Sequence, residues 1–147
     1  MISQAAEYSL RALICLARSP GAPLTTQQIA EQAKVPPGYL AKVMQALGRA
    51  GIVAGQRGPN GGFLLAADPD AVTLLDVVRL TDASHRIGTC PLGIHGPHLC
   101  PLHRRLDDVA ATVEALLACT TLGQLLAEQP DPFTQTAEPI KAGASHD

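Results

Sequence analysis

Three short amphipathic segments, a glycine-rich stretch between two apolar runs, and a late long segment with regularly spaced apolar residues predict a mainly α chain. Their order is that of a winged helix-turn-helix, three helices plus a β-hairpin wing, with a long C-terminal dimerisation helix. At 147 residues the chain suits one compact unit and an appendage.

Each element has its own signal. Ser3 can cap a first helix running to about Arg18, with Ala6, Leu10, Leu13, Ile14 and Ala17 as its apolar stripe. Ser19-Pro20-Gly21 ends it. Thr25 and Gln28 form a capping box for a second helix, Thr26 to about Ala33. Pro36-Pro37 stops that helix, and Pro37 suits the first position of a third. The third helix buries Leu40, Val43, Met44 and Leu47 and ends at Gly51, a residue at ease in a left-handed cap. The apolar runs Ile52–Ala54 and Phe63–Ala66 then flank Gly55–Gly62, which reads as a hairpin tip.

Beyond the wing, Thr73 and Asp76 start a short fourth helix, Leu74 to about Leu80. Residues 82–99 form a loop rich in Gly, Pro and His. A long helix follows from about Pro101 to Ala118. Its Leu102, Leu106, Val109, Val113 and Leu116 alternate by four and three, a heptad seam suited to a symmetry mate, to the chain's own winged helix, or to both. Thr120 or Thr121 can cap a last turn, Leu122–Glu128. The chain thus divides into a winged-helix DNA-binding domain (1–80), a cluster or metal loop (81–99), a dimerisation helix with its last turn (100–128) and a tail (129–147). The tail has too little apolar content for a core and is expected to be disordered.

Charge is unevenly spread. Residues 1–66 carry six basic side chains against Glu7 and Glu31, whereas residues 67–147 carry five basic against eleven acidic ones. A basic half suits a polyanionic partner. The third helix turns Gly38, Ala41, Lys42, Gln45 and Arg49 away from its core face, all small, polar or basic. A solvated helical hairpin would look similar, but Arg57 at the tip of a glycine-rich hairpin favours a wing in a minor groove. No apolar run reaches the roughly 20 residues of a membrane span, and residues 1–17 read as an amphipathic helix, not a signal peptide. A cytoplasmic location is expected, in which the four cysteines serve as metal ligands, redox groups or buried thiols more readily than as disulfides. No nucleophile–base set or phosphate-cradling loop emerges, so an enzyme is not expected.

Several stretches resemble one family closely. Tyr8–Leu13, Leu24–Ala30, Tyr39–Leu47 and, most specifically, Gln56–Ala66 are similar to the bacterial Rrf-two family of winged-helix regulators. Cys100–His103 and Thr121-Leu122 also fit, so the likeness covers residues 1 to about 128. The resemblance implies a homodimer whose long helices cross, each subunit placing its third helix and wing on one half-site of a partly palindromic operator in double-stranded DNA. On that reading Thr26, Gly38, Tyr39, Lys42, Gln45, Arg49, Arg57, Gly58, Pro59 and Asn60 are the candidate DNA contacts. Arg57 would reach the minor groove, and the amides of Gly58 and Asn60 would lie near phosphates. Pro36, Gly38 and Ala41 depart from residues common in the family, so its operator sequence does not carry over.

The loop holds Cys90, His95, His98, Cys100 and His103 within fourteen residues. Thiolates select Zn²⁺ and iron–sulfur clusters, and imidazole suits both. Cluster-binding members of the family have three cysteines here, and this chain has two. Two thiolates favour a [2Fe–2S] cluster completed by nitrogen or oxygen donors, with zinc as the competitor. His103 is the leading nitrogen candidate. By resemblance, an acidic residue on the partner's first helix can complete the set, and Glu7 stands at that place; an ion pair with Arg11 is its other reading. Cys15 and Cys119 fall in helical patterns and are read as packed thiols. The resulting function is a dimeric regulator sensing redox state or nitric oxide. The alternatives are a cluster-free regulator responding to zinc or a metabolite, and an electron-transfer or metal-binding protein.

Overall fold

The computed structural model describes residues 2–128, so the tail expected to be disordered lies outside the described residues. The elements are α1 (Gln4–Ala17), α2 (Thr26–Ala33), α3 (Pro37–Arg49), β1 (Val53–Gln56), β2 (Gly62–Leu65), α4 (Leu74–Thr81), α5 (Pro101–Cys119) and α6 (Leu122–Glu128).

The expected caps form. Ser3 Oγ accepts the Ala6 N–H at 3.1 Å, and both capping boxes, Thr25 with Gln28 and Thr73 with Asp76, are complete in both directions. Pro37 opens α3, whose buried residues are Leu40, Val43, Met44 and Leu47. At its end Gly51 adopts φ +73°, while Gly51 N–H donates to Gly48 O and Ile52 N–H to Leu47 O. That pair of bonds closes a Schellman motif, and Ile52 and Leu47 are both buried.

The core sits around α1, which packs against α2, α3, α4, α6 and β2. Its buried surface is therefore wider than a single stripe. Ser9, Ala12, Cys15 and Leu16 are buried along with Ala6, Leu13 and Ile14, whereas Leu10 and Ala17 are only half-buried. Ser9 is accommodated because its hydroxyl donates to the Ala5 carbonyl at 2.9 Å.

The wing strands differ in extent from the apolar runs of the sequence. β1 and β2 are antiparallel from Val53↔Leu65 to Gln56↔Gly62, so pairing extends two residues beyond Ala54 and shortens the tip to Arg57–Gly61. Ile52 lies just outside β1: its N–H closes the α3 cap, while its carbonyl accepts the N–H groups of Ala66 and Ala67 at 2.9 and 3.2 Å. A third element joins the sheet: Leu24 and Phe63 exchange backbone hydrogen bonds of 2.8 and 3.0 Å. An isolated bridge of this kind leaves no periodicity for sequence reading to detect.

The last turn forms over the expected residues, Leu122–Glu128. α6 returns to the winged-helix core: Leu122 is buried in it, its N–H donates to Val72 O at 2.8 Å, and Thr73 pairs with Thr121. Within the segment 100–128, α5 packs against α4 and α6 against α1. α5 has no buried residue. Along its seam Leu102, Leu106, Val109 and Leu116 are 63, 49, 59 and 66 % exposed.

Candidate metal centre and nucleic-acid interface

Cys100 is the N-cap of α5, with Pro101 starting the helix. His103 stands three residues on, close to one helical turn, and its Nδ1 lies 3.0 Å from Cys100 Sγ. The preceding loop folds back so that Cys90 Sγ lies 3.7 Å from the same nitrogen. All three donor atoms fall within 4.8 Å of one another, with both cysteines buried and His103 half-buried. The Leu92 backbone N–H directed at the Cys90 sulfur holds that thiol below the ordinary cysteine range, assisted by Cys100 and Gly93. Hydrogen bonds to sulfur favour the thiolate, the form that ligates metals.

Donor type, burial and spacing fit a transition-metal centre. Three donors at these separations can share one ion at bond lengths of about 2.0–2.3 Å, or anchor part of a small cluster. A fourth donor is needed to close either. His95 and His98 are exposed and lie outside the group. Glu7 is also apart from it, on α1, paired with Arg11 one turn along. Cys15 is buried as expected, but Cys119 is exposed and is not a packed thiol. It ends a helix with no fully buried residue, so its place in a helical pattern could not predict burial.

The loop is fixed at its start by a pair that sequence reading missed. Arg86 donates to both carboxylate oxygens of Asp107, at 2.7 and 2.8 Å, and the Ile87 N–H donates to Asp107 Oδ1 at 2.8 Å. Asp107 lies four residues after His103, on the same side of α5. Only that spacing was visible beforehand, since nothing marks Arg86 as its partner. Further on, α4, residues 82–87 and α5 enclose an apolar groove of about 210 Å³, with Leu75, Val78, Leu106, Val109 and Val113 among its walls.

Of the candidate DNA contacts, Gly38, Tyr39, Lys42, Gln45 and Arg49 are exposed on α3, and Arg57, Gly58, Pro59 and Asn60 are exposed at the wing tip. Thr26 is half-buried at the first position of α2. Among the described residues Lys42, Arg49 and Arg57 form no ion pair. Gly38 would meet nothing within 4 Å if it carried a Cβ, so that face of α3 is open to close approach. Tyr39 differs from the others. Its ring meets Tyr8 of α1 edge to face, with centroids 5.3 Å apart and planes at 75°.

Comparison with known proteins places this arrangement. Residues 2–128 match the Rrf2 family model, described as iron-dependent transcriptional regulator. The chain is 34 % identical over 131 residues to the HTH-type transcriptional regulator NsrR of Bacillus subtilis, covering 85 % of this chain and 89 % of that protein. Among solved structures, CymR, the global cysteine regulator of B. subtilis, superposes with a TM-score of 0.74 at 28 % identity, covering 88 % of this chain and 98 % of that one. The IscR structure from T. potens gives 0.73 at 25 % identity, with 87 % of each chain covered. No described helix is long and apolar enough to cross a membrane. The chain belongs to the Rrf2 family: it is a winged-helix transcriptional regulator and not an enzyme.

Proposed function

We propose that this regulator works as a homodimer on a partly palindromic operator and senses redox state or nitric oxide through a [2Fe–2S] cluster. Cys90, Cys100 and His103 would hold the cluster together with Glu7 of the partner subunit. The observation that carries this reading is the convergence of two buried thiols and one imidazole within 4.8 Å, from a loop and a helix start. The iron-dependent description of the family supports it. When bound, such a cluster supplies a centre whose oxidation state and integrity respond to oxidants and nitric oxide.

The chain's own residues do the rest. Asp107 clamps the loop to α5 through Arg86 and Ile87, so a change at Cys90 is passed to the helix that carries His103. The exposed α5 seam supports dimerisation, because each large apolar side chain left in water forgoes roughly 1.5–3 kcal/mol. Glu7 must release Arg11 to become a ligand, at the loss of an exposed i,i+4 pair of about 0.5 kcal/mol. DNA contact is assigned to Thr26, to Gly38, Tyr39, Lys42, Gln45 and Arg49 of α3, and to Arg57, Gly58, Pro59 and Asn60 of the wing. Regulation requires operator affinity to differ between the states of the centre.

Protein purified without oxygen is expected to be coloured, with iron and acid-labile sulfide in equal amounts. Cys90→Ala and Cys100→Ala should each bleach it and change operator affinity. Stoichiometric zinc without sulfide would instead support a zinc-responsive regulator, for which three nitrogen and sulfur donors around one open position are also suited. Colourless, metal-free protein indifferent to both substitutions would refute any metal centre here.

A further inference from the structure

The turn between α2 and α3 comprises Lys34, Val35 and Pro36; Val35 is buried in the core and its N–H donates to the Ala30 carbonyl at 3.0 Å, whereas Lys34 and Pro36 are exposed. Pro36, the N-cap of α3, offers no side-chain hydrogen bond to the helix start. Lys34 is the one non-glycine residue with positive φ among the described residues, at +54°. A β-carbon in the left-handed region costs energy, so this turn is held in shape by its surroundings.

Besides the burial of Val35, two residues of α1 hold the turn from its exposed side. Arg11 Nη1 donates to the Lys34 carbonyl at 3.4 Å, at the strained residue itself. The same guanidinium stands 5.8 Å from the centroid of the Tyr8 ring, within cation–π range. The Tyr8 ring in turn meets Tyr39, in the first turn of α3, at 5.3 Å and 75°, the T-shaped arrangement that aromatic quadrupoles favour. One continuous set of contacts therefore runs from the turn, through Arg11 and Tyr8, to a ring on the outer surface of α3. Tyr39 remains 40 % exposed, so its outer part is free to meet a ligand while its inner edge is held.

We infer that Tyr8 and Arg11 are positioning residues for DNA recognition. They set the angle at which α3 departs from the turn and orient the Tyr39 ring on its outer face. This inference rests on the reading of α3 as the DNA-contacting helix. Neither Tyr8 nor Arg11 need touch DNA. Their effect falls on discrimination between sequences, because base-edge contacts depend on helix placement more sharply than phosphate attraction does.

The test is a double-substitution cycle in the full chain. Tyr8→Leu, Tyr39→Leu and the pair would be compared for affinity to a duplex enriched from a random pool and to a scrambled duplex, at one fixed salt concentration. Tyr8→Leu should weaken binding to the enriched duplex about tenfold, near the upper end of what an aromatic pair is worth. Binding to the scrambled duplex should change less than about twofold, since phosphate contacts persist. The pair should be no weaker than Tyr39→Leu alone, as expected for residues acting through one another. Tyr8→Phe should retain selectivity because it keeps the ring. Arg11→Lys, which keeps the charge without the planar fork, should lose part of it.

If Tyr39→Leu weakens the enriched complex but Tyr8→Leu and Arg11→Lys do not, the positioning role is wrong and the reading of α3 survives. Equal loss on both duplexes, or additive losses in the cycle, would equally overturn it. Should Tyr39→Leu leave both affinities unchanged, the assignment of Tyr39 to DNA fails and the inference fails with it. Melting curves identify any variant that has merely unfolded. If Tyr8→Leu is among them, Arg11→Lys decides: undiminished selectivity refutes the inference.

Discussion

Arg86 and Asp107 form a two-point pair across 21 residues of sequence, with the Ile87 N–H bound to the same carboxylate. The Arg86 side chain and the Ile87 N–H hold the Asp107 carboxyl at about 2, below its ordinary 3.8. A carboxyl whose pKa is lower in the folded state contributes stability at pH values above the unfolded pKa, and that contribution is lost as pH falls from about 4 to 2. Titration of the Asp107 carboxyl by NMR should show this low midpoint, and Arg86→Gln should raise it toward 3.8. A midpoint unmoved by Arg86→Gln would mean that the pair does not anchor the loop in solution.

The α5 seam leads to a prediction about assembly. Val109→Asp with Val113→Asp would place unpaired charges at an apolar contact, which is strongly destabilising there. Val109 is exposed and Val113 only half-buried, at the α4–α5 groove and outside the winged-helix core, so the fold should survive, which a melting curve checks, while the dimer does not. Sedimentation should report a monomer, and operator affinity should fall by about 100-fold or more once two half-sites no longer act together. A persistent dimer would remove the seam from the interface.

At the wing, Arg57→Ala should reveal what its side chain contacts. Loss of a phosphate contact reduces the salt slope of binding by about one, and loss of a base-edge contact relaxes site preference by about 1–3 kcal/mol. Unchanged affinity, slope and preference together would show that the wing stays off DNA.

Two glycines should respond in opposite directions. A β-carbon on Gly62 would sit 2.4 Å from the Leu24 carbonyl oxygen, a backbone atom that cannot move without breaking the Leu24–Phe63 bridge. Gly62→Ala should therefore destabilise the fold by about 1–3 kcal/mol in denaturant titration. Gly48, inside α3, has nothing within 4 Å of the equivalent position. Gly48→Ala should stabilise by about 0.5–1 kcal/mol through helix propensity. A neutral Gly62→Ala would mean that the bridge does not constrain the wing.

Much of this molecule is legible one segment at a time. Ser3, Thr25, Thr73 and Gly51 mark helix ends because capping is a local matter of a few backbone groups, settled within three or four residues. Cys100 and His103 are joined by helical spacing alone. The four buried positions of α3 follow from one face of one helix meeting one core. The family likeness extends the reading to DNA contact, which no single residue announces.

Contacts distant along the chain were decided only by the tertiary structure, because nothing local encodes a partner. Cys90 reaches Cys100 and His103 through the path of an irregular loop that has no period to read. Arg86 finds Asp107, Leu24 pairs with Phe63, and Leu122 joins the core through contacts across 21 to 50 residues or more. α1 is buried widely because five other elements close around it, something its own apolar stripe understates. In sequence Tyr39 could be read only as a groove-side residue, and Tyr8 only as part of a family-like stretch. Their ring contact exists because α1 and α3 cross there, and a crossing belongs to two helices together and to neither sequence alone.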